Sequence, residues 1–148
     1  MFNICKMNKV LFTNGYPALI IRLTVGFIFL SEGIQKFLYP EILGSGRFSK
    51  LGINPPVFWS NLTGTFEIIC SLLIIIGVFT RLAVIPLLVI MAVAFITTKW
   101  NELLDKGFWA MAHDGRTDFA MTMLLIFLFI YGSGKRSVDL TLYAKRKN

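Results

Sequence analysis

Residues 57–78, VFWSNLTGTFEIICSLLIIIGV, are long and apolar enough to cross a lipid bilayer as one helix, and they carry a single charge, Glu67. The breaker pair Pro55-Pro56 stands directly before them. Lipid offers backbone amides and carbonyls no hydrogen-bond partners, so the run is expected to be α-helical. Because an unpaired charge in hydrocarbon is costly, Glu67 should have a partner, a wet cavity or a role in function.

Three further apolar runs lie at about residues 17–38, 82–98 and 117–132. The first is as long as residues 57–78, whereas the last two lie near or below the lower limit of about 17 residues for a span. Four such helices joined by loops predict an all-α integral membrane four-helix bundle, built as a single domain over residues 1–148. Apolar residues recur at helical spacing between Lys99 and Arg116, which predicts an interfacial amphipathic helix between the third and fourth spans.

The composition excludes several classes of protein. Hydrophobic residues make up 55% of the chain, above the roughly 45–50% of soluble domains. The net charge of +7 does not indicate nucleic-acid binding, because the basic residues lie mainly at the ends of the apolar runs. One histidine excludes bis-histidine haem ligation within one chain, and Cys5 and Cys70 form no C-x-x-C pair. We therefore expect the lipid bilayer as a partner, no nucleic acid, no metal and no evident cofactor.

The distribution of lysine and arginine predicts that both termini are cytoplasmic. The loops after the first and third runs carry fewer basic residues, and they also contain the acidic residues Glu41, Glu102, Asp105 and Asp114. The two tails and the turn after the second run carry more basic residues, which are Lys6, Lys9, Arg81, Lys135, Arg136, Lys145, Arg146 and Lys147.

The charges inside the runs predict a polar cluster in the outer half of the membrane. Glu32 and Lys36 are four residues apart in the order that favours an ion pair on one helix face. At about 1.5 Å of rise per residue, Glu32 and Glu67 differ by only about 6 Å in height. Asp118 opens the fourth run near the height of Lys36. The predicted cluster, a candidate ligand-binding site, comprises Glu32, Lys36, Glu67, Arg116 and Asp118, with His113 at its rim. Arg22, deeper in the first run, is also included among the candidate intramembrane polar residues.

A structural interpretation of the same charges stays open. Lys36 and Arg22 would then extend toward water at opposite ends of the first run, with Arg22 as a peripheral anchor. Arg116 and Asp118 would be ordinary residues of a helix start. Glu67 differs, because no charged residue lies three or four positions from it. It is either protonated or meets a cation from another helix.

Several short motifs, taken in their order along the chain, resemble the DoxX family of small bacterial membrane proteins. The resemblance covers about residues 17–142, and Val138 stands where the family has Leu. The motifs are Arg22-x-x-x-Gly26, Gly33-x-x-Lys36-Phe37, Glu67, Gly77-Val78-Phe79-Thr80-Arg81 and Gly132-Ser133-Gly134-x-x-Ser137-Val138-Asp139.

This resemblance implies a polytopic protein of the bacterial inner membrane, accessory to quinone- or sulfur-linked redox metabolism or to oxidative-stress defence. It also implies redox-complex subunits as partners and a quinone or lipid as ligand, and we expect no autonomous catalytic activity. A small proton- or solute-coupled transport module, acting as a homo-oligomer, is one alternative; no inverted repeat supports it. A purely structural partner in a membrane complex is the other.

Overall fold

The computed structural model describes residues 17–134 and 137–139, and all regular elements within these ranges are helical. We number the α-helices in chain order. They are α1 (Pro17–Leu38), α2 (Ser45–Lys50), α3 (Pro56–Ile76), α4 (Thr80–Ala94), α5 (Trp100–Lys106), α6 (Phe108–Asp114) and α7 (Arg116–Tyr131), with a π-helical turn (Phe95–Lys99) between α4 and α5.

Three stretches are long and apolar enough to cross a membrane: Ala18–Leu38, Pro56–Ile76 and Thr80–Lys106. The first two agree with the runs predicted from the sequence. The third is longer than the predicted 82–98, because the helix continues through the π-helical turn into α5. Polar residues after Thr98 prolong the helix, since Lys99, Glu102 and Lys106 form ion pairs along it at spacings of three and four. Residues 100–106, expected in a separate interfacial helix, therefore extend the third long helix until Gly107, whose φ is +83°.

The predicted fourth span corresponds to α7, which has 16 residues. At 1.5 Å per residue, α7 is about 24 Å long, shorter than the roughly 30 Å hydrocarbon core of a bilayer. The all-helical architecture is thus confirmed with three candidate spans, while a four-span bundle stays a prediction. Of the amphipathic stretch between the third and fourth runs, α6 remains a separate short helix of seven residues.

The four longest helices share one apolar core and expose apolar outer faces. The core side chains come from α1, α3, α4 and α7, and they are Val25, Phe29, Cys70, Ile74, Ala83, Val84, Leu87, Met121, Leu125 and Leu128. Outward-facing side chains such as Ile69, Leu82 and Phe119 are 52%, 64% and 68% exposed. Helices that are apolar on their outer as well as their inner faces are typical of proteins surrounded by lipid.

Helices α1 and α3 run antiparallel in close contact along a line that we call the α1–α3 seam, which contains Gly26, Gly33 and Gly64. A methyl group added at Gly33 would lie 2.8 Å from Ile68 Cγ1 and 3.0 Å from the carbonyl oxygen of Gly64. One added at Gly64 would lie 2.8 Å from the ring of Phe37. Small residues therefore allow the two backbones to approach closely, as they do in membrane helix pairs.

The molecule has two structurally different ends. The loop end contains α2, α5 and α6, together with the last turn of α1 and the first turn of α3. The turn end contains the short connection Gly77–Phe79 between α3 and α4, and the segment Gly132–Gly134 after α7. All three tryptophans, Trp59, Trp100 and Trp109, lie toward the loop end and are exposed.

Candidate functional site

A buried ion pair, Lys36 with Glu67, joins α1 to α3 across the seam. The Lys36 Nζ and Glu67 Oε2 atoms are 2.6 Å apart, and the two side chains are only 12% and 4% exposed. Glu67 thus meets a cation from another helix, one of the two situations expected for it. The pairing of Lys36 with Glu32 was wrong. Glu32 is exposed on the outer side of α1, whereas Lys36 lies over the seam, where Glu67 is within reach.

The glycines of the seam explain why this pair forms. Gly33 and Gly64 lie one turn from Lys36 and Glu67 respectively, and any side chain at either would push the two helices apart. Phe37 packs its ring against Gly64 and covers one side of the contact. The Lys36–Glu67 pair therefore depends on the short distance between the backbones of α1 and α3 as much as on charge. That distance cannot be read from the spacing of residues within one helix.

Two further charges act on Glu67, those of Glu32 and Arg47. Arg47 belongs to α2, which packs against α3 at the loop end. Glu32 lies one turn before Lys36 on α1. Within the described part of the chain, Glu67 is the one hydrogen-bond acceptor of the Lys36 ammonium. An ammonium group has three N–H donors, so two of them remain for water or a ligand.

A second charged cluster lies at the loop end, where the π-helical turn and the start of α5 lie beside the first turn of α7. Lys99 Nζ is 3.3 Å from Glu102 Oε2 and 4.0 Å from Asp118 Oδ2, and Lys106 pairs with Glu102 at 3.2 Å. The side chains of Lys99 and Glu102 are mostly buried, and both were missing from the predicted site. Their spacing of three residues on a helix was a usable indication. Asp118 therefore belongs to this cluster rather than to the surroundings of Lys36.

His113 and Arg116 interact with each other at the connection between α6 and α7. Arg116 Nη1 lies 3.0 and 2.7 Å from the two ring nitrogens of His113 and donates to the His113 carbonyl at 3.2 Å. Both side chains are exposed. The single outer cluster predicted from the sequence is thus three separate groups: Lys36–Glu67 with Glu32 nearby, Lys99–Glu102–Asp118, and His113–Arg116.

Arg22 is buried at the turn end, and its prediction as a peripheral anchor was wrong. Its side chain donates to the carbonyls of Ile74 at 2.9 Å, Ile75 at 2.7 Å and Ser133 at 2.9 Å. The last carbonyls of a helix have no partners within it and form the negative end of its dipole. A guanidinium with five donors can satisfy several of them at once. Arg22 therefore caps the C-terminus of α3 and ties it to the segment after α7.

Asp139 binds the start of α4, on the other side of the turn between α3 and α4. Its carboxylate accepts hydrogen bonds from the backbone amides of Phe79 at 2.7 Å and Thr80 at 3.2 Å, where α4 begins. Its own amide donates to the carbonyl of Gly77 at 2.9 Å. Gly77 has a φ of +79°, and a methyl group there would lie 2.5 Å from Arg22 Nη2. We call Arg22, Gly77, Ser133 and Asp139 the turn-end cluster.

The chemistry available at the Lys36–Glu67 pair is that of an ammonium and a carboxylate. Within residues 17–134 and 137–139, no three His, Cys, Asp or Glu side chains gather as metal ligands would. Lys36 and Glu67 lie between two helices with apolar outer faces, so a molecule bound there would combine a polar headgroup with an apolar remainder.

Comparisons with known proteins extend over most of the chain. The family model described as DoxX matches residues 18–100, which include Arg22, Lys36 and Glu67. An uncharacterized membrane protein of Mycobacterium tuberculosis is 46% identical over 138 residues, covering 88% of this chain and 85% of that protein. An uncharacterized protein of Haemophilus influenzae is 28% identical over 141 residues, covering 94% of this chain and 100% of that protein. No solved structure matches the chain.

Proposed function

This chain belongs to the DoxX family of membrane proteins, and from that membership we propose that it is an accessory subunit whose Lys36–Glu67 pair binds the headgroup of a quinone. It serves quinone- or sulfur-linked redox metabolism, or defence against oxidative stress, in the bacterial inner membrane. It has no catalytic activity of its own and supplies bound quinone to the subunits of a redox complex.

The single observation that carries this proposal is the incomplete hydrogen bonding of the Lys36 ammonium. Glu67 holds it in place at 2.6 Å and is its one acceptor among the described residues, while the side chain keeps 12% of its surface exposed. A quinone carbonyl accepts hydrogen bonds, so it complements the remaining N–H groups. Because such a donor is fixed by a neighbouring helix before the ligand arrives, little conformational freedom is lost on binding.

The apolar tail of the ligand would lie against the outer faces of α1 and α3, where Ile34 and Ile69 are 42% and 52% exposed.

The membrane arrangement is part of the proposal. We infer that α7 crosses the membrane as a fourth span, with Gly115 and Gly132 at its two ends, so that the chain forms a four-helix bundle with both termini in the cytoplasm. The basic residues near the turn end support this orientation, since cytoplasmic loops carry an excess of lysine and arginine.

The test is the quinone content of protein purified in mild detergent, measured by solvent extraction and mass spectrometry. Wild-type protein should retain quinone. Lys36→Met should lose at least about tenfold, the effect of removing one well-placed interaction of about 1.4 kcal/mol. Glu67→Gln should also lose quinone, because the ammonium is no longer held over the seam.

Lys50→Met is the matched control, since Lys50 is an exposed lysine at the end of α2. It should retain the wild-type quinone content. Size-exclusion profiles and melting temperatures in detergent separate loss of ligand from loss of fold. Equal quinone content in wild-type protein and in a folded Lys36→Met variant would overturn the proposal and leave the pair as a structural contact between helices.

A further inference from the structure

The outer surface of α1 carries a strip of polar residues beside exposed apolar side chains such as Phe27 and Ile34. Thr24, Ser31 and Glu32 are exposed there and Gln35 is half-buried, all within a helix long and apolar enough to span the membrane. Helix α3 also exposes polar residues, Asn61 and Thr65, and there the Thr65 hydroxyl donates to the Asn61 carbonyl. The exposed residues of α4 include Leu82, Ile85 and Val89. Polar side chains inside a membrane usually face other protein rather than lipid.

Some of these groups are satisfied within the chain and others are not. Thr24 donates to the carbonyl of Ile20 at 3.0 Å, and Gln35 Nε2 donates to Ser31 Oγ at 2.8 Å. Ser31 acts as an acceptor in that contact, and its hydroxyl hydrogen has no acceptor among the described residues. The Glu32 carboxylate likewise makes no ion pair or hydrogen bond with any residue that the structure describes. One unused donor and one unused acceptor therefore lie side by side on α1.

The spacing of these residues is that of a helix–helix interface. Thr24, Ile28, Ser31 and Gln35 are separated by four, three and four positions, the a/d pattern of a left-handed helix pair. We call these four residues the α1 stripe. They lie opposite Arg22, Gly26 and Gly33, which face α3, so the stripe stays open while the α1–α3 seam is occupied.

We propose that the α1 stripe is the interface of a homodimer, in which α1 of one copy packs in parallel against α1 of a second copy. Two copies inserted with the same orientation are related by a twofold axis along the membrane normal, which makes their α1 helices parallel and places each stripe residue opposite its counterpart. This inference stands independently of quinone binding.

The unused groups of one copy complement those of the other. With Thr24 and Ser31 at d positions and Ile28 and Gln35 at a positions, Glu32 occupies position e. A d residue inserts among the a, d and e residues of the facing helix, so Ser31 enters a hole that includes Glu32 and Gln35 of the second copy. The Ser31 hydroxyl then donates to the opposite Glu32 carboxylate, twice per dimer by symmetry. The contact satisfies both groups that a single chain leaves unpaired.

Cysteine cross-linking in lipid vesicles tests the register of this interface. In a background with Cys5→Ser and Cys70→Ala, the variants Thr24→Cys, Ile28→Cys and Ser31→Cys should each form a disulfide-linked dimer under mild oxidation. Ile69→Cys is the matched control, because Ile69 is exposed at a similar depth on α3. We expect about tenfold less cross-linking there, since it would arise only from random collision. Equal yields at positions 31 and 69 would overturn the proposal.

A second measurement retains both native cysteines. Single-molecule photobleaching of fluorescently tagged full-length chain, at increasing dilution in lipid, gives the dimer fraction directly. Ser31→Leu combined with Gln35→Leu should raise the apparent dissociation constant about tenfold, as expected for loss of interhelical hydrogen bonds in lipid. Ile69→Ala should leave it unchanged. A wild-type chain that bleaches in one step at every dilution would contradict the dimer outright.

Discussion

The two most deeply buried charged residues that the structure describes, Arg22 and Glu67, take their partners from other helices or from backbone carbonyls. Arg22 shows this most clearly, because three backbone carbonyls surround its guanidinium and hold it 1% exposed. Lys36 pairs with Glu67 of α3 and not with Glu32, although Glu32 is closer in the sequence. Burial in an apolar setting therefore determines which partner each charge takes.

Removing Arg22 should destabilise the protein strongly. In Arg22→Met, the carbonyls of Ile74, Ile75 and Ser133 lose their donor while staying buried, and each unsatisfied group costs about 1–3 kcal/mol. We expect a large fall in the melting temperature in detergent, with Arg22→Lys falling less because it keeps a charged donor. Arg47→Met, at an exposed arginine, should melt close to wild type. Similar melting of both variants would contradict the capping role.

Prediction from sequence succeeded for a single residue where its position within an apolar run was sufficient to show that it needs a partner. Glu67 was identified as needing a partner because it lies in the middle of an apolar run. The identity of that partner could not be derived, since it depends on how closely α1 and α3 approach. Arg22 was misplaced for a related reason: its acceptors are backbone carbonyls, which every residue possesses and which no sequence pattern distinguishes.

At the scale of helices, glycines place α1 and α3 close enough for the Lys36–Glu67 ion pair to form. The positions Gly26, Gly33 and Gly64 all face the opposite helix, and each is too crowded for a side chain. Gly26 and Gly33 belong to the motifs of the family, and Gly64 lies three residues before Glu67. Their common effect is to set the distance between two helices, which then sets the geometry of Lys36 and Glu67.

A methyl group at Gly33 should therefore weaken both the fold and the ion pair. In Gly33→Ala, the new Cβ would lie 3.0 Å from the Gly64 carbonyl and 3.1 Å from Glu67 Cβ, so the helices must separate. We expect a loss of stability of about 1–3 kcal/mol, typical of overpacking. Ala92→Leu adds bulk on an exposed face of α4 and should be tolerated. Thermal melting in detergent compares the two, and unchanged melting of Gly33→Ala would exclude tight packing at the seam.

The positions of helices were easier to predict than their ends. The run 17–38 coincides with α1 because Pro17 and the polar residues after Leu38 mark both ends. The third helix ran past its predicted end, and Glu102 forms ion pairs with both Lys99 and Lys106 along it. Hydropathy alone ends the apolar run before those residues and assigns them to a separate interfacial helix, since it does not register ion pairs.

At the scale of the whole molecule, the two ends have different structures. The loop end carries α2, α5, α6 and the exposed tryptophans, whereas the turn end consists of tight connections held by Arg22 and Asp139. In the orientation proposed above, the loop end faces outward and the turn end faces the cytoplasm. The apolar outer faces of the long helices lie between them.

Labelling of single cysteines in intact cells tests this orientation. In the cysteine-free background, Ser49→Cys on α2 should react with a membrane-impermeant maleimide added outside, because Ser49 is exposed at the loop end. Val138→Cys, exposed at the turn end, should react only after the membrane is permeabilised. Labelling of both positions from outside would show that α7 fails to return the chain to the cytoplasmic side.

The turn-end cluster also has a consequence for the order in which the protein is made. Arg22 precedes α3 in the chain, so the donor for the carbonyls at the end of α3 is already present when that helix is synthesised. Asp139 follows α7, and the first amides of α4 must wait for it until every long helix has been translated. The hydrogen bonds on the two sides of the turn between α3 and α4 therefore become possible at different times. Those of Asp139 become possible only after α7 has been translated.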